Sequence, residues 1–153
     1  MRKALTTMVL CLIALLDSYA GYDDKGYAGK VGISISPEYD LGWMMDITTS
    51  HGYSFGNGFW LGGGIGVSFY GKENEGMSIP IFAHAQYNLQ MDKLSPYVSC
   101  KFGYNTISFF DKGLRFIRPE IGVNIGQWDI FAAYSVGQYA ISNYASVGCA
   151  WNF

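Results

Sequence analysis

Seven residues carry the chemistry this chain could do away from water: Lys30, Asp46, His84, Lys101, Arg118, Glu120 and Asp129. Three are cationic, three anionic, and one is a histidine. Each sits in a stretch of alternating apolar and small or polar residues, and each falls on the less apolar side. A charge enclosed on that side is costly unless it is paired. The set is therefore expected to form an interior polar network. Lys101 and the pair Arg118/Glu120 are expected on adjacent strands near mid-height, joined by salt bridges. Such a cluster could pass protons or serve as an acid–base pair. The reading preferred is a polar plug that satisfies the interior and fixes strand register.

The other reactive side chains form no recognisable catalytic set. His51 falls on the apolar side beside Tyr53, near the edge where an interface tolerates a histidine, unless a local bulge redirects it. His84 faces the other way on a different segment, so the two cannot share a metal. Cys100 and Cys149 have no metal-ligand spacing and fall on non-neighbouring segments, so no disulfide is expected. Gly62-Gly-Gly-Ile-Gly66 lies inside a strand pattern with no helix after it, which argues close packing rather than a phosphate loop. No Ser/His/Asp or paired-carboxylate arrangement converges at a strand end. No enzyme, cofactor or metal centre is expected. Lys72, Glu73 and Glu75, with Glu38, Asp40 and Asp111, could bind divalent cations shared with lipopolysaccharide, or stand as solvated loop charge.

The elements that position these residues are strands. Only 14% of the 153 residues are charged, against about 25% in an ordinary soluble domain. No internal run of about 18 apolar residues could form a membrane helix. The net charge of −2 leaves no basic patch for nucleic acid. Period-two alternation marks eight segments at about 27–36, 41–55, 59–70, 77–89, 95–105, 113–126, 127–136 and 143–153. Gly56-Asn57-Gly58 is a tight hairpin signal. Pro119 inside the sixth segment predicts a bulge.

The two faces differ in a way that decides the surroundings. The apolar face is read as free of Asp, Glu, Lys and Arg in all eight segments. A surface in water gains nothing from that exclusion, whereas a lipid-facing Arg or Lys at mid-depth costs about 2–4 kcal/mol. The second face is mostly Gly, Ser, Asn, Thr and Ala, which suits the narrow interior of an eight-stranded barrel. Aromatic residues gather at the segment ends: Tyr27, Tyr53, Phe55, Phe59, Tyr87, Trp128, Trp151 and Phe153 at one edge, and Trp43, Phe69 and Tyr104 at the other. They predict two interfacial girdles.

Residues 1–20 read as a cleaved secretory signal: Arg2 and Lys3, an apolar run from Met8 to Leu16, and Ser18-Tyr19-Ala20 before the cut. The mature domain is then 21–153. The final segment, Asn143–Phe153, alternates and ends on an aromatic, so it is expected to close the barrel against Tyr27–Ser36. An even strand count puts both termini on one side, the periplasm, with the turns at 56–58, 90–94 and 126–127. The loops at 36–40, 71–76, 106–112 and 137–142 then face outward.

With these residues placed, Thr48–Tyr53, Phe59–Gly66, Ile79–Phe82, Ser95–Val98 and the terminal Phe153 resemble the small outer-membrane β-barrel domain family of Gram-negative bacteria. The likeness covers about residues 27–153 and is similar in size to the eight-stranded barrels of the outer-membrane protein A and X type. It implies an all-β, antiparallel, up-and-down transmembrane barrel. It also implies insertion by the outer-membrane assembly machinery, which reads an aromatic-ended last strand, here Trp151 and Phe153. The family implies no single activity. The expected role is a monomeric structural or surface-interaction protein in contact with outer-membrane lipid and lipopolysaccharide, with a plugged interior. Two alternatives are an outer-membrane enzyme acting on lipid or peptide, and a secreted soluble barrel binding an apolar ligand.

Overall fold

The computed structural model describes residues 25–38, 42–71, 76–89, 91, 94–107, 113–137 and 143–153. Residues 1–24, which include the expected signal segment, and parts of five connections lie outside them. Eight strands follow in order: β1 Lys25–Glu38, β2 Gly42–Phe55, β3 Phe59–Gly71, β4 Gly76–Asn88, β5 Ser95–Ile107, β6 Leu114–Ile125, β7 Trp128–Gly137 and β8 Tyr144–Asn152. Each pairs antiparallel with its neighbours in sequence, and β8 pairs with β1 to close the barrel. Closure leaves no unpaired edge, the condition for a sheet in hydrocarbon. Among the described residues the two tightest connections carry glycines with positive φ, Gly56 and Gly58 in one and Gly126 in the other. That conformation suits hairpin turns whose twist matches the strands.

The register sets the tilt. Lys25 pairs with Phe55 at the β2–β3 hairpin, and from Phe59 the partners run through Tyr87, Val98, Ile121, Ala132 and Val147 to Ile35. A circuit that leaves β1 at Lys25 thus re-enters it at Ile35. Such a stagger tilts the strands and fixes the width of the interior.

Alternation decides the two walls. Val31, Ile33 and Ile35 on β1, Leu61 and Ile65 on β3, and Ile121 on β6 point outward and are exposed. Lys30, Ser34, Asp46, His84, Lys101, Arg118, Glu120 and Asp129 point inward and are buried. The inner wall also holds large rings: strand parity puts Trp60, Phe82 and Phe131 on this face, and Tyr97 and Phe116 join them. In register, Gly64, Phe82, Gly103 and Phe116 alternate across β3 to β6. Tyr97, Gly122, Phe131 and Gly148 do the same across β5 to β8. A Cβ built on Gly122 would meet the Tyr97 ring at 2.7 Å, and one on Gly148 the Phe131 ring at 2.6 Å. The Phe82 ring takes the same space at Gly64, where a Cβ would lie 2.6 Å from it.

Three expectations are corrected. Pro119 makes no bulge: the β5–β6 register runs unbroken from Ser95–Asn124 to Asn105–Leu114 and includes Cys100–Pro119. On the other side the β6–β7 ladder skips Arg118 and Pro119 and resumes in the same register. Proline removes a donor, and here it opens a gap without inserting a residue. Pro80 does the same between β3 and β4, where pairing lapses between Ile65–Ile81 and Ser68–Ser78. Second, the outer wall is not free of charge within the eight segments. Arg115 lies on the outward side of β6, exposed and opposite Tyr104. It sits one residue from the strand end, where an arginine can reach the headgroup region. Third, Phe153 does not stand out in a girdle. It is only 4% exposed. Tyr53, Phe55, Tyr87, Trp128, Trp43 and Tyr104 are exposed at the strand ends.

Candidate functional site

The interior polar residues form two clusters joined by rings. Toward the hairpin end of the barrel, Lys30 on β1 pairs with Asp129 on β7 at 2.9 Å and donates to Gln86 on β4. Asp129 also accepts from Asn124 at 2.8 Å and Asn152 at 3.0 Å. Gln86 donates to Asn88, which reaches the carbonyl of Gly58 in the hairpin. The carboxylate therefore holds one ammonium and two amides, and its side chain is fully buried.

The second cluster is centred on Arg118 of β6. Its Nη1 donates to Asp46 on β2 at 2.9 Å, and its Nη2 donates to Ser34 at 2.9 Å and Ser146 at 2.7 Å. Its Nε lies 3.3 Å from Glu120. Glu120 accepts from Lys101 on β5 at 2.8 Å and from Ser99 at 3.1 Å. The chain Asp46–Arg118–Glu120–Lys101 thus alternates in sign. Arginine suits the hub because its planar fork offers five donors in fixed directions.

Both lysines are clamped by aromatic faces. Lys30 Nζ lies 5.6 Å from the Trp60 ring and 5.6 Å from the Tyr97 ring. Lys101 Nζ lies 5.4 Å from Phe82 and 5.5 Å from Phe131. A desolvated cation–π contact contributes on the order of 2 kcal/mol. The four rings were not among the sequence candidates. For Phe82, Tyr97 and Phe131 the signal that could have found them is the in-register alternation of glycine with inward aromatics.

Six of the seven sequence candidates enter the two clusters. His84 enters neither as an ion pair. It faces inward opposite Lys101, its Nδ1 is 3.4 Å from Ser50, and Trp60 and Phe82 pack edge-on at 5.0 and 6.3 Å. Its Nε2 has no hydrogen-bond partner among the described residues. It serves as a packing ring between the two clamps. Between the clusters lies a cavity of about 10 Å³.

On the outer wall, His51 stays in register, opposite Gly29 and Gly63, with no bulge to redirect it. Its Nε2 is 2.9 Å from the Thr49 hydroxyl and its Nδ1 bonds the Tyr27 hydroxyl. A hydroxyl, an imidazole and an orienting group in sequence have the outline of an activated nucleophile. Acyl transfer also needs donors aimed at an oxyanion. Residues 49–53 are paired on both sides, so their N–H groups belong to the β1–β2–β3 ladders. The hydroxyls instead satisfy both ring nitrogens of an exposed histidine.

Phe153 completes this patch. Its N–H donates to the Gly29 carbonyl at 2.9 Å, and Gly29 N–H donates back at 2.7 Å. Its ring occupies the space over Gly29, where a Cβ would lie 2.7 Å away. His51 stands edge-on at 5.9 Å, and Trp151 lies tilted at 5.6 Å. Gly29 is the seat of the last residue. Cys100 and Cys149 are free thiols on β5 and β8.

No protein-family model matches the chain, and no curated protein sequence does. Solved structures match the fold. Neisserial surface protein A superimposes with a TM-score of 0.60 at 16% identity, covering 83% of this chain and 96% of that one. The N-terminal β-barrel domain of Pseudomonas aeruginosa OprF gives 0.56 at 15%, covering 85% and 100%. A designed transmembrane β-barrel gives 0.56 at 14%, covering 82% and 95%. The fold is that of the small eight-stranded transmembrane β-barrels.

Proposed function

We propose that the protein is an integral outer-membrane barrel with a closed lumen and a structural or surface-interaction role, without catalytic activity. The observation that carries this is the interior itself. Two buried ammonium groups, each held by a carboxylate and two aromatic faces, fill the cross-section and leave room for about one water. The outer wall supports the location: its exposed mid-strand residues are apolar, Ile65, Ile81, Phe102 and Ile121 among them, and aromatic residues gather at the ends, as lipid contact demands. Both described ends of the chain, Lys25 and Phe153, lie at the edge that carries the short hairpins. That edge is assigned to the periplasm, and the longer connections to the outside, where lipopolysaccharide is the neighbouring surface.

Trp151 and Phe153 are assigned as the assembly signal read by the insertion machinery. Phe153 then has two successive partners, the machinery and the Gly29 seat. Replacing Phe153 by aspartate is expected to lower the yield in the membrane fraction severalfold, and an unchanged yield would remove the assignment. The closed lumen is tested by planar-bilayer recording of the refolded protein. The expected result is no steady conductance above the lipid background. A large, persistent conductance would refute it.

A further inference from the structure

Among the described residues no ion pair joins the two interior clusters, yet they share one space. The cavity of about 10 Å³ is lined by Lys30 and Asp129 from one cluster, Lys101 and Glu120 from the other, and the hydroxyl residues Thr48 and Ser50. All four charged residues are buried. We infer that this cavity is a binding site for a single water molecule that joins the two clusters into one network. The inference builds on the closed-lumen reading, because a water held there must be shielded from bulk exchange.

Size, polarity and charge agree on the ligand. About 10–15 Å³ is the smallest space that admits one water, and a buried water needs two to four polar partners. This cavity is at the lower bound of that range, and each cluster brings one donor and one acceptor to its lining. An empty cavity of this size is expected only with apolar walls. The lining carries two ammonium and two carboxylate groups, so its formal charge is zero and it makes no demand for an ion. Lys101 supplies the clearest donor. An ammonium has three N–H groups. The one hydrogen bond to a side chain that the geometry gives Lys101 goes to Glu120. Its remaining donors face Phe82, Phe131 and the cavity. A water there accepts from the Lys101 ammonium and donates to a carboxylate of the Lys30–Asp129 side. Tyr97, Phe131 and Ala150 complete the lining.

Gly32 provides the handle. It lines the cavity from β1 with its hydrogen inward. A Cβ there would lie 3.1 Å from the Ala150 methyl and 3.6 Å from the Thr48 hydroxyl, contacts that slight movement relieves. Gly32→Ala should therefore fold and displace the water. Deuteron magnetic relaxation dispersion of the solvent counts long-lived internal waters in the refolded, detergent-bound protein. Its amplitude is expected to fall by about one water per chain in the variant. A folded variant with unchanged amplitude would overturn the inference. Diffraction from the wild-type protein gives a second test that does not depend on the variant folding. A density peak within hydrogen-bond distance of Lys101 Nζ in this cavity supports the site, and a clear map without one refutes it. A barrel that conducts ions yet shows the ordered peak would fail the closed lumen and keep the water, so the two claims fail separately.

Discussion

The inner and outer walls of this barrel are made by the same strands, one residue apart, and they solve opposite problems. On β6, Ile121 points out and is 66% exposed, while Glu120 and Gly122 point in. The outer wall needs little specificity: any aliphatic side chain of suitable size satisfies lipid. The inner wall must place every charge against a partner, because each of its charged side chains is buried. Arg118 therefore bonds across the barrel to Asp46 and Ser34 on β2 and β1, as well as to Ser146 on β8. Tolerance to substitution should differ sharply between positions i and i+1 of one strand.

The largest effect should come from removing the hub of the inner wall. Arg118→Met leaves Asp46 without its cation and Glu120 with Lys101 alone. Stranding a buried charge in this way costs about 3–5 kcal/mol. Urea unfolding from detergent or lipid should show a loss of that size, and a loss under about 1 kcal/mol would mean that the cluster is hydrated and weakly coupled. The outer wall should respond to the reverse change. Ile121→Arg, near the middle of β6, is expected to destabilise by about 2–4 kcal/mol in a bilayer and much less in a detergent micelle. Equal effects in the two media would refute lipid contact at that depth. The wild-type Arg115, on the same outward side near the end of the strand, shows that the penalty depends on depth rather than on the wall alone.

Much of this architecture was legible in the sequence. Alternation located all eight strands, with ends displaced by one or two residues, because parity changes at turns that glycine marks, as at Gly56 and Gly58. Parity also placed Lys30, Asp46, His84, Lys101, Arg118, Glu120 and Asp129 on one face. Partners could not be read from parity. Lys30 and Asp129 are far apart in sequence, and their contact depends on the stagger accumulated round the whole barrel. Pro119 illustrates the limit of a local rule. A missing donor must open the ladder, but whether the strand bulges or merely skips two pairs depends on the neighbours. Phe153 illustrates another. Its type announced a girdle, whereas its burial depends on Gly29, which lies on the opposite end of the chain. The clamps made by Phe82, Tyr97 and Phe131 were hidden because each ring and its register glycine belong to different strands.

The alternation of glycine with rings gives the smallest and most local test. Gly122 lies between Tyr97 and Phe131 in register. A Cβ at this position would approach the Tyr97 ring at 2.7 Å and the Ile130 carbonyl at 2.5 Å. Neither can yield freely: the carbonyl belongs to the strand backbone, and the ring also faces the Lys30 ammonium. Gly122→Val should therefore overpack the lumen, destabilise by about 1–3 kcal/mol, and loosen the Lys30 clamp. The adjacent outward change, Val123→Ile, adds a methylene toward lipid and should move stability by no more than about 0.5 kcal/mol. Paired unfolding measurements on these neighbours separate the walls most finely. If Gly122→Val proves as mild as Val123→Ile, the rings have room to move and the lumen is not a packed solid. If the difference holds, glycine is required on the inner wall because a ring already occupies the volume that a side chain would need.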